Sequence, residues 1–248
     1  MTAKLHPPDT TPPAPRTRSD VGNWAPPETP LAGQSRPLGA IQGFGKLWQK
    51  TTRIRLDGSG ATPPEVVAMW KAHFTEFWAD GGAQFRAPLA GIAPGEVADL
   101  DFVAPGGLKL STGIIVLYVD DESFTFMTPE GHVFAGWVTF SAFHDGEVTV
   151  AQVQVLMRAQ DPIGELMLAF GGHRIENRFW EQTLANLAAN LGVDAAAGTE
   201  TICVDERRQW RRAANIRQNI VIRSTLRAAV SPVRWMRSHL GSPASRRG

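Results

Sequence analysis

Few residues able to do chemistry stand together in this chain of 248 residues. The best placed is His132, which follows Thr128-Pro129-Glu130-Gly131. Imidazole changes charge near neutral pH. A histidine beside Glu130 at the rim of a pocket would therefore serve as an acid–base group or a pH-sensitive gate. The plainer reading is a turn. Proline at the second position and glycine at the fourth suit a type I turn, after which His132 only opens the next strand. His173 and Glu176 are spaced to share one face of a helix, yet two ligands do not make a metal site. No His-Glu-x-x-His motif and no histidine cluster occurs. Cys203 is the single cysteine, which excludes an internal disulfide framework and a multi-cysteine metal centre. Gly43-Phe44-Gly45-Lys46 lacks the phosphate-loop spacing, and no Gly-x-Ser-x-Gly elbow is present. The composition thus points away from familiar hydrolases and metalloenzymes, and no cofactor or metal is expected.

The elements that would position these residues are well marked. Residues 47–56 alternate as a first strand and end in the turn 57–60. Thr62, Pro63 and Glu65 then spell a helix start: an N-cap, a proline in the first turn and a capping box. Val66, Met69, Trp70, Phe74 and Phe77 recur on one face, with His73 among them as a core residue. Asp80-Gly81-Gly82 ends that helix. Residues 96–103, 113–120, 123–128, 134–143 and 147–158 read as strands. Turn residues separate them at Pro105-Gly106-Gly107, Asp120-Asp121-Glu122, Pro129-Glu130-Gly131 and Asp145-Gly146. Gaps this short force antiparallel neighbours, because a parallel return needs a crossover of about a dozen residues or more. In the last strand Thr149, Ala151, Val153, Val155 and Met157 share one face, while Gln152 and Gln154 take the other.

Asp161-Pro162 opens a short helix, which Gly171-Gly172 interrupts. From Arg174 onward, Ile175, Phe179, Trp180, Thr183, Leu184, Leu187, Ala188 and Leu191 form a broad apolar stripe that stops at Gly192. So much aromatic surface needs a partner, and the sheet is the only one large enough. The expected class is α+β: a curved antiparallel β-sheet gripping a long C-terminal helix. A twisted sheet cannot lie flush on a straight helix along its whole length. The mismatch must be taken up by large side chains or by a cavity. The expected liners are Phe126, Trp137, Phe140, Phe179 and Trp180, with His132 at the rim.

This order of elements is similar to the START-like, helix-grip folds that include polyketide cyclases and lipid-transfer domains. Pro129, Gly131, His132, Gly136 and Phe140 more narrowly resemble the family called Domain of Unknown Function 1990. That family has a Leu-Pro-Gly-His segment, a glycine four residues later, two glutamates and then a phenylalanine. In this chain Glu130 is inserted between proline and glycine, and Trp137-Val138 stand where the acidic pair falls. The resemblance covers residues 44–193. The leading expectation is an apolar small molecule or lipid bound between the sheet and the final helix. The second is a cyclase or isomerase that uses His132 with a carboxylate.

Charge divides the chain into three parts. Residues 1–38 hold nine prolines and few large aliphatics, a composition that reads as a disordered arm. Residues 39–194, the expected helix-grip domain, carry ten basic and eighteen acidic side chains. Residues 195–248, read as a linker and a partly helical tail, carry eleven and three. From Arg207 onward there are arginines and no acid. Arg207, Arg208, Trp210, Arg211, Arg212, Arg217, Arg223, Arg227, Arg234, Trp235 and Arg237 suit a polyanion. Three partners compete: an anionic membrane surface, with tryptophans at the interface; nucleic acid, less favoured, whose phosphates arginines neutralise without needing a motif; and the acidic domain itself. The third functional expectation is therefore a peripheral adaptor acting through this tail. No apolar run is long enough to span a bilayer, and no secretory signal opens the chain, so the expected location is cytoplasmic or peripheral at the membrane surface.

Overall fold

Short turns and period-two alternation between residues 96 and 158 produce the meander that their lengths require. The computed structural model describes residues 36–79, 83–88, 90–104, 108–219 and 222. Its strands are β1 (Leu47–Arg55), β2 (Ala83–Arg86), β3 (Val97–Ala104), β4 (Leu108–Val119), β5 (Ser123–Met127), β6 (Phe134–Asp145), β7 (Val148–Ala159) and β8 (Gly198–Asp205). They form one antiparallel sheet in the order β2-β3-β4-β5-β6-β7-β1-β8. The helices are α1 (Pro63–Ala72), α2 (Phe74–Phe77), α3 (Pro162–Met167) and α4 (His173–Asn190). Strand β1 lies between β7 and β8, with register running from Trp48↔Met157 to Arg55↔Val150. It lies one place in from the β8 edge, and α1 and α2 carry the chain across to β2 at the far edge.

The helices sit on one face of the sheet. α1 packs on β6 and β7, and α4 packs on β7, β1 and β8. The alternation of β7 decides which face this is: Ala151, Val153, Val155 and Met157 are buried beneath the helices, and Gln152 and Gln154 point away. The chain therefore adopts the expected α+β class, a curved antiparallel sheet gripping a long C-terminal helix.

Local signals act as read at several points. The Glu65 carboxylate accepts hydrogen bonds from the Thr62 amide and hydroxyl, both at 2.8 Å. Asp161 caps α3 by accepting from the amides of Ile163 and Gly164. The interruption at Gly171-Gly172 is a kink, with Gly171 at φ 105°.

Elsewhere the structure corrects the reading. His73 is exposed and bonded to Glu76, because α1 ends there and the chain turns into α2. β4 starts at Leu108, earlier than expected. β2 was not anticipated. Residues 198–205, read as part of a linker, form β8 and add an edge to the sheet, so ordered structure continues past 194. The arm up to residue 35, the helix stop at Asp80-Gly81-Gly82 and the turn at Pro105-Gly106-Gly107 lie outside the described residues.

Candidate functional site

Aromatic rings occupy the space between sheet and helices. Phe124 and Phe126 of β5 and Phe140 of β6 point to the helix side and are essentially unexposed. Phe74 meets all three edge-on, with ring centroids 5.1–5.8 Å away. Trp70 meets Phe140 at 5.2 Å, and Trp180 of α4 meets it at 5.6 Å. Edge-on contacts of this kind add to the several kcal/mol that burial of each large ring contributes. Toward the β2–β3 side the members of the cluster are only partly buried. Phe179 is half-buried and lies 4.8 Å from the half-buried Trp78, which stacks on Phe85. Phe85 in turn pairs with the partly exposed Leu100 across β2 and β3. The indole N–H groups of Trp70 and Trp78 are buried without an acceptor among the described residues.

Phe126, Phe140, Phe179 and Trp180 are thus brought together as expected. Trp137 does not join them. It is three residues from Phe140 on an extended strand and so lies on the opposite face, where its ring and the Met127 methyl approach Gly39. The glycine before it has a separate reason. A Cβ at Gly136 would stand 2.1 Å from the Leu156 carbonyl oxygen, so no side chain fits where β6 crosses β7.

A second feature was missed in the sequence. Lys50 of β1 is fully buried under α4, on the helix side of the sheet. Its ammonium donates to Glu176 Oε2 at 2.8 Å, Asn177 Oδ1 at 2.8 Å and the His173 carbonyl at 3.1 Å. All three N–H bonds are therefore satisfied, which is what makes a buried lysine tolerable. Burial pushes the Glu176 carboxyl up, and Lys50 opposes that. His173 packs against Trp48 at 4.5 Å. Desolvation and the Lys50 charge hold its imidazole down to about 4, and its Nδ1 is buried without a partner among the described residues. The signal was present: alternation puts Lys50 on the face of Trp48, Thr52 and Ile54, and His173-x-x-Glu176 marks one helix side. Neither stretch alone reveals the other.

His132 is built differently from either sequence reading. Its amide donates to the Pro129 carbonyl at 3.2 Å, so the turn is Pro129–His132, with Gly131 at φ 93°. That is one residue later than a turn over 128–131, and glycine supplies the positive φ. The ring is buried, and its Nδ1 accepts from the Phe134 amide at 3.0 Å. Burial holds this imidazole down to about 4. Among the described residues no carboxylate reaches the ring; Glu130 is bonded to Gln218 instead. The orienting partner that base chemistry needs is missing there.

The described part of the tail lies on the domain. Arg158, nearly unexposed, donates to Asp205 at 2.7 Å and to the carbonyls of Gly45 and Arg207. Arg208 pairs with Glu165 at 2.9 Å, and Trp210 meets Phe44 edge-on at 5.3 Å. A 3-10 helix (Trp210–Gln218) follows, whose Asn215 donates to the Gln42 and Gln160 carbonyls. Asn219 closes the contact on buried Asp161 at 2.6 Å. Arg207, Arg211 and Arg217 remain exposed, and Arg212 is half-buried. Arg223, Arg227, Arg234, Trp235 and Arg237 lie outside the described residues. No helix among the described residues is long and apolar enough to cross a membrane.

No family model and no curated protein matches the sequence. Several solved structures are similar in fold. Protein Ms6760 from Mycobacterium smegmatis is 13% identical, over 64% of this chain and 97% of that one, with a TM-score of 0.40. Ginseng major latex-like protein 151 from Panax ginseng is 12% identical, over 59% and 98%, with a TM-score of 0.39. The di-domain aromatase/cyclase StfQ of steffimycin biosynthesis is 11% identical, over 58% and 50%, with a TM-score of 0.44. At such identities the chemistry of the site has to be read from its own geometry.

Proposed function

We propose that this protein binds an apolar small molecule or lipid-like compound between the sheet and α4. The observation that carries the proposal is the half-buried rim of Trp78, Phe179 and Leu100 beside a buried aromatic cluster, with the indole N–H groups of Trp70 and Trp78 lacking an acceptor among the described residues. Mostly apolar walls with a few convergent polar groups are the usual make-up of a small-molecule site. Buried donors are normally paired, so a ligand oxygen is a natural acceptor for them. The buried Lys50–Glu176–Asn177 group fixes α4 over β1 and keeps the site's far wall in place. The narrower family likeness carried by Pro129, Gly131, His132, Gly136 and Phe140 is held within this proposal. A cyclase-type reaction centred on His132 is less favoured, since its Nδ1 is already committed to a backbone amide.

Native mass spectrometry of the freshly purified full chain should show a retained apolar species. Tryptophan emission should change on titration with 1-anilinonaphthalene-8-sulfonate, and Phe179→Ala should weaken that response roughly tenfold. A bare protein mass together with a probe response identical in wild type and Phe179→Ala would sink the proposal.

A further inference from the structure

We propose that the kink joining α3 to α4 docks this protein on an anionic bilayer surface. Four large apolar side chains are exposed within ten residues: Leu166 at 58%, Met167 at 43%, Phe170 at 82% and Ile175 at 72%. Exposed apolar residues scattered singly are ordinary, but a contiguous group marks an interaction site. The backbone presents this one deliberately. Phe170 sits at φ −92°, ψ 34°, and Gly171 at φ 105°, so the helix breaks at the point where the largest ring leaves the protein.

The charges around the patch select the partner. Arg174 and Arg178, one turn apart, flank Ile175 on the outer side of α4 and are exposed. Among the described residues neither has a carboxylate partner. The one acid between 166 and 178 is Glu176, whose carboxylate is turned inward onto Lys50. Glu165, just before the patch, is largely buried and paired with Arg208. The exposed side chains of this stretch are therefore apolar or arginine, the combination that favours an interface of acyl chains and acidic headgroups. A second copy is a poor occupant, because a two-fold contact would set these arginines against their own images. The attachment differs from the one expected of the tail, of which Arg208 is spent on Glu165 of the domain's own surface while Trp210 stays largely exposed.

The test uses the full-length chain in sedimentation with vesicles of phosphatidylcholine alone and with about one third phosphatidylserine. Wild type should bind the anionic vesicles and release as salt rises. Phe170→Asp, and separately Arg174→Ala with Arg178→Ala, should each weaken binding by about tenfold or more. These side chains are exposed, so unchanged melting curves are expected and will show that the fold is intact. Absence of wild-type binding overturns the proposal. So does undiminished binding of Phe170→Asp, which would place attachment elsewhere, including the tail. A shift from dimer to monomer in Phe170→Asp, without vesicle binding by wild type, would assign the patch to a second copy instead.

Discussion

His132→Asn keeps an acceptor near the Phe134 amide while removing the group that titrates, and so measures what the buried imidazole does. Burial holds His132 down to about 4, against roughly 6.5 in an unfolded chain. With the folded value below the unfolded one, the unfolded chain takes up a proton between them that the native protein refuses. The contribution to stability is complete above the unfolded value and is lost as pH falls toward the folded one. The limiting slope is about 1.4 kcal/mol per pH unit, so acidification from about pH 7.5 to about 4.5 removes on the order of 2.5 kcal/mol through this one ring. At neutral pH the variant should be less stable by about 1–2 kcal/mol from lost packing. Its stability should then fall less steeply in acid, and the two curves should meet or cross near the acid end. Urea unfolding followed by tryptophan emission supplies both curves, and only their difference is interpreted. Asp205, whose carboxyl is held low by hydrogen bonds from the Arg207 amide and Arg158, also destabilises the native state in acid. It is common to both proteins and cancels, as does His173. A difference that stays constant across the range would refute a proton-refusing His132.

Lys50→Met strands the Glu176 carboxylate under α4 and should cost about 3–5 kcal/mol in chemical denaturation; adding Glu176→Leu should recover most of it, and a double variant no better than the single would contradict the pairing. Gly136→Ala forces a Cβ onto the Leu156 carbonyl, so the melting temperature should fall by an amount matching about 3 kcal/mol or more, whereas an unchanged melt would deny the close approach. Asn215→Ala removes two bonds to backbone carbonyls of the domain and should cost about 1–3 kcal/mol and speed proteolysis within 205–219; unaltered cleavage there would mean the segment is not held by this residue.

What could be read in advance follows from how local each determinant is. Strands β3 to β7 announce themselves because period-two alternation and their turns are adjacent in the chain, and α4 does so through its stripe. β2 and β8 do not. β2 has four residues, and β8 is a largely exposed edge with no clean alternation, so both exist through pairing with a neighbour rather than through their own pattern. The polar cluster illustrates the same limit. Alternation already places Lys50 inward, but its partner Glu176 is 126 residues away, and nothing in either stretch names the other. The tail is intermediate. Charge imbalance suggested contact with the acidic domain, yet much of the docking runs through uncharged bonds such as the Gln209 amide to the Phe44 carbonyl. Composition cannot specify these. At His132 a one-residue shift of the turn was enough to convert a candidate rim group into a buried ring that accepts from its own loop.

The two proposals meet at the first turns of α4, which face two ways. Glu176 and Asn177 point in and are fastened to Lys50, while Arg174, Ile175 and Arg178 point out. α3 is fastened as well, by Asp161 with Asn219 and by Glu165 with Arg208. Only the apolar turn around Phe170 lies free between two anchored helices. Rigid supports spare the docking surface an ordering cost on contact. They also make the two functions separable. Phe170→Asp removes a group that touches neither the aromatic cluster nor Lys50, so vesicle binding should fall while the probe response under α4 is unchanged. Lys50→Met with Glu176→Leu frees the inner side of the same turns, so probe binding should change together with vesicle binding. If the inner variant altered the probe response alone, the two faces of α4 would be independent, and the anchoring role given to Lys50 would be lost.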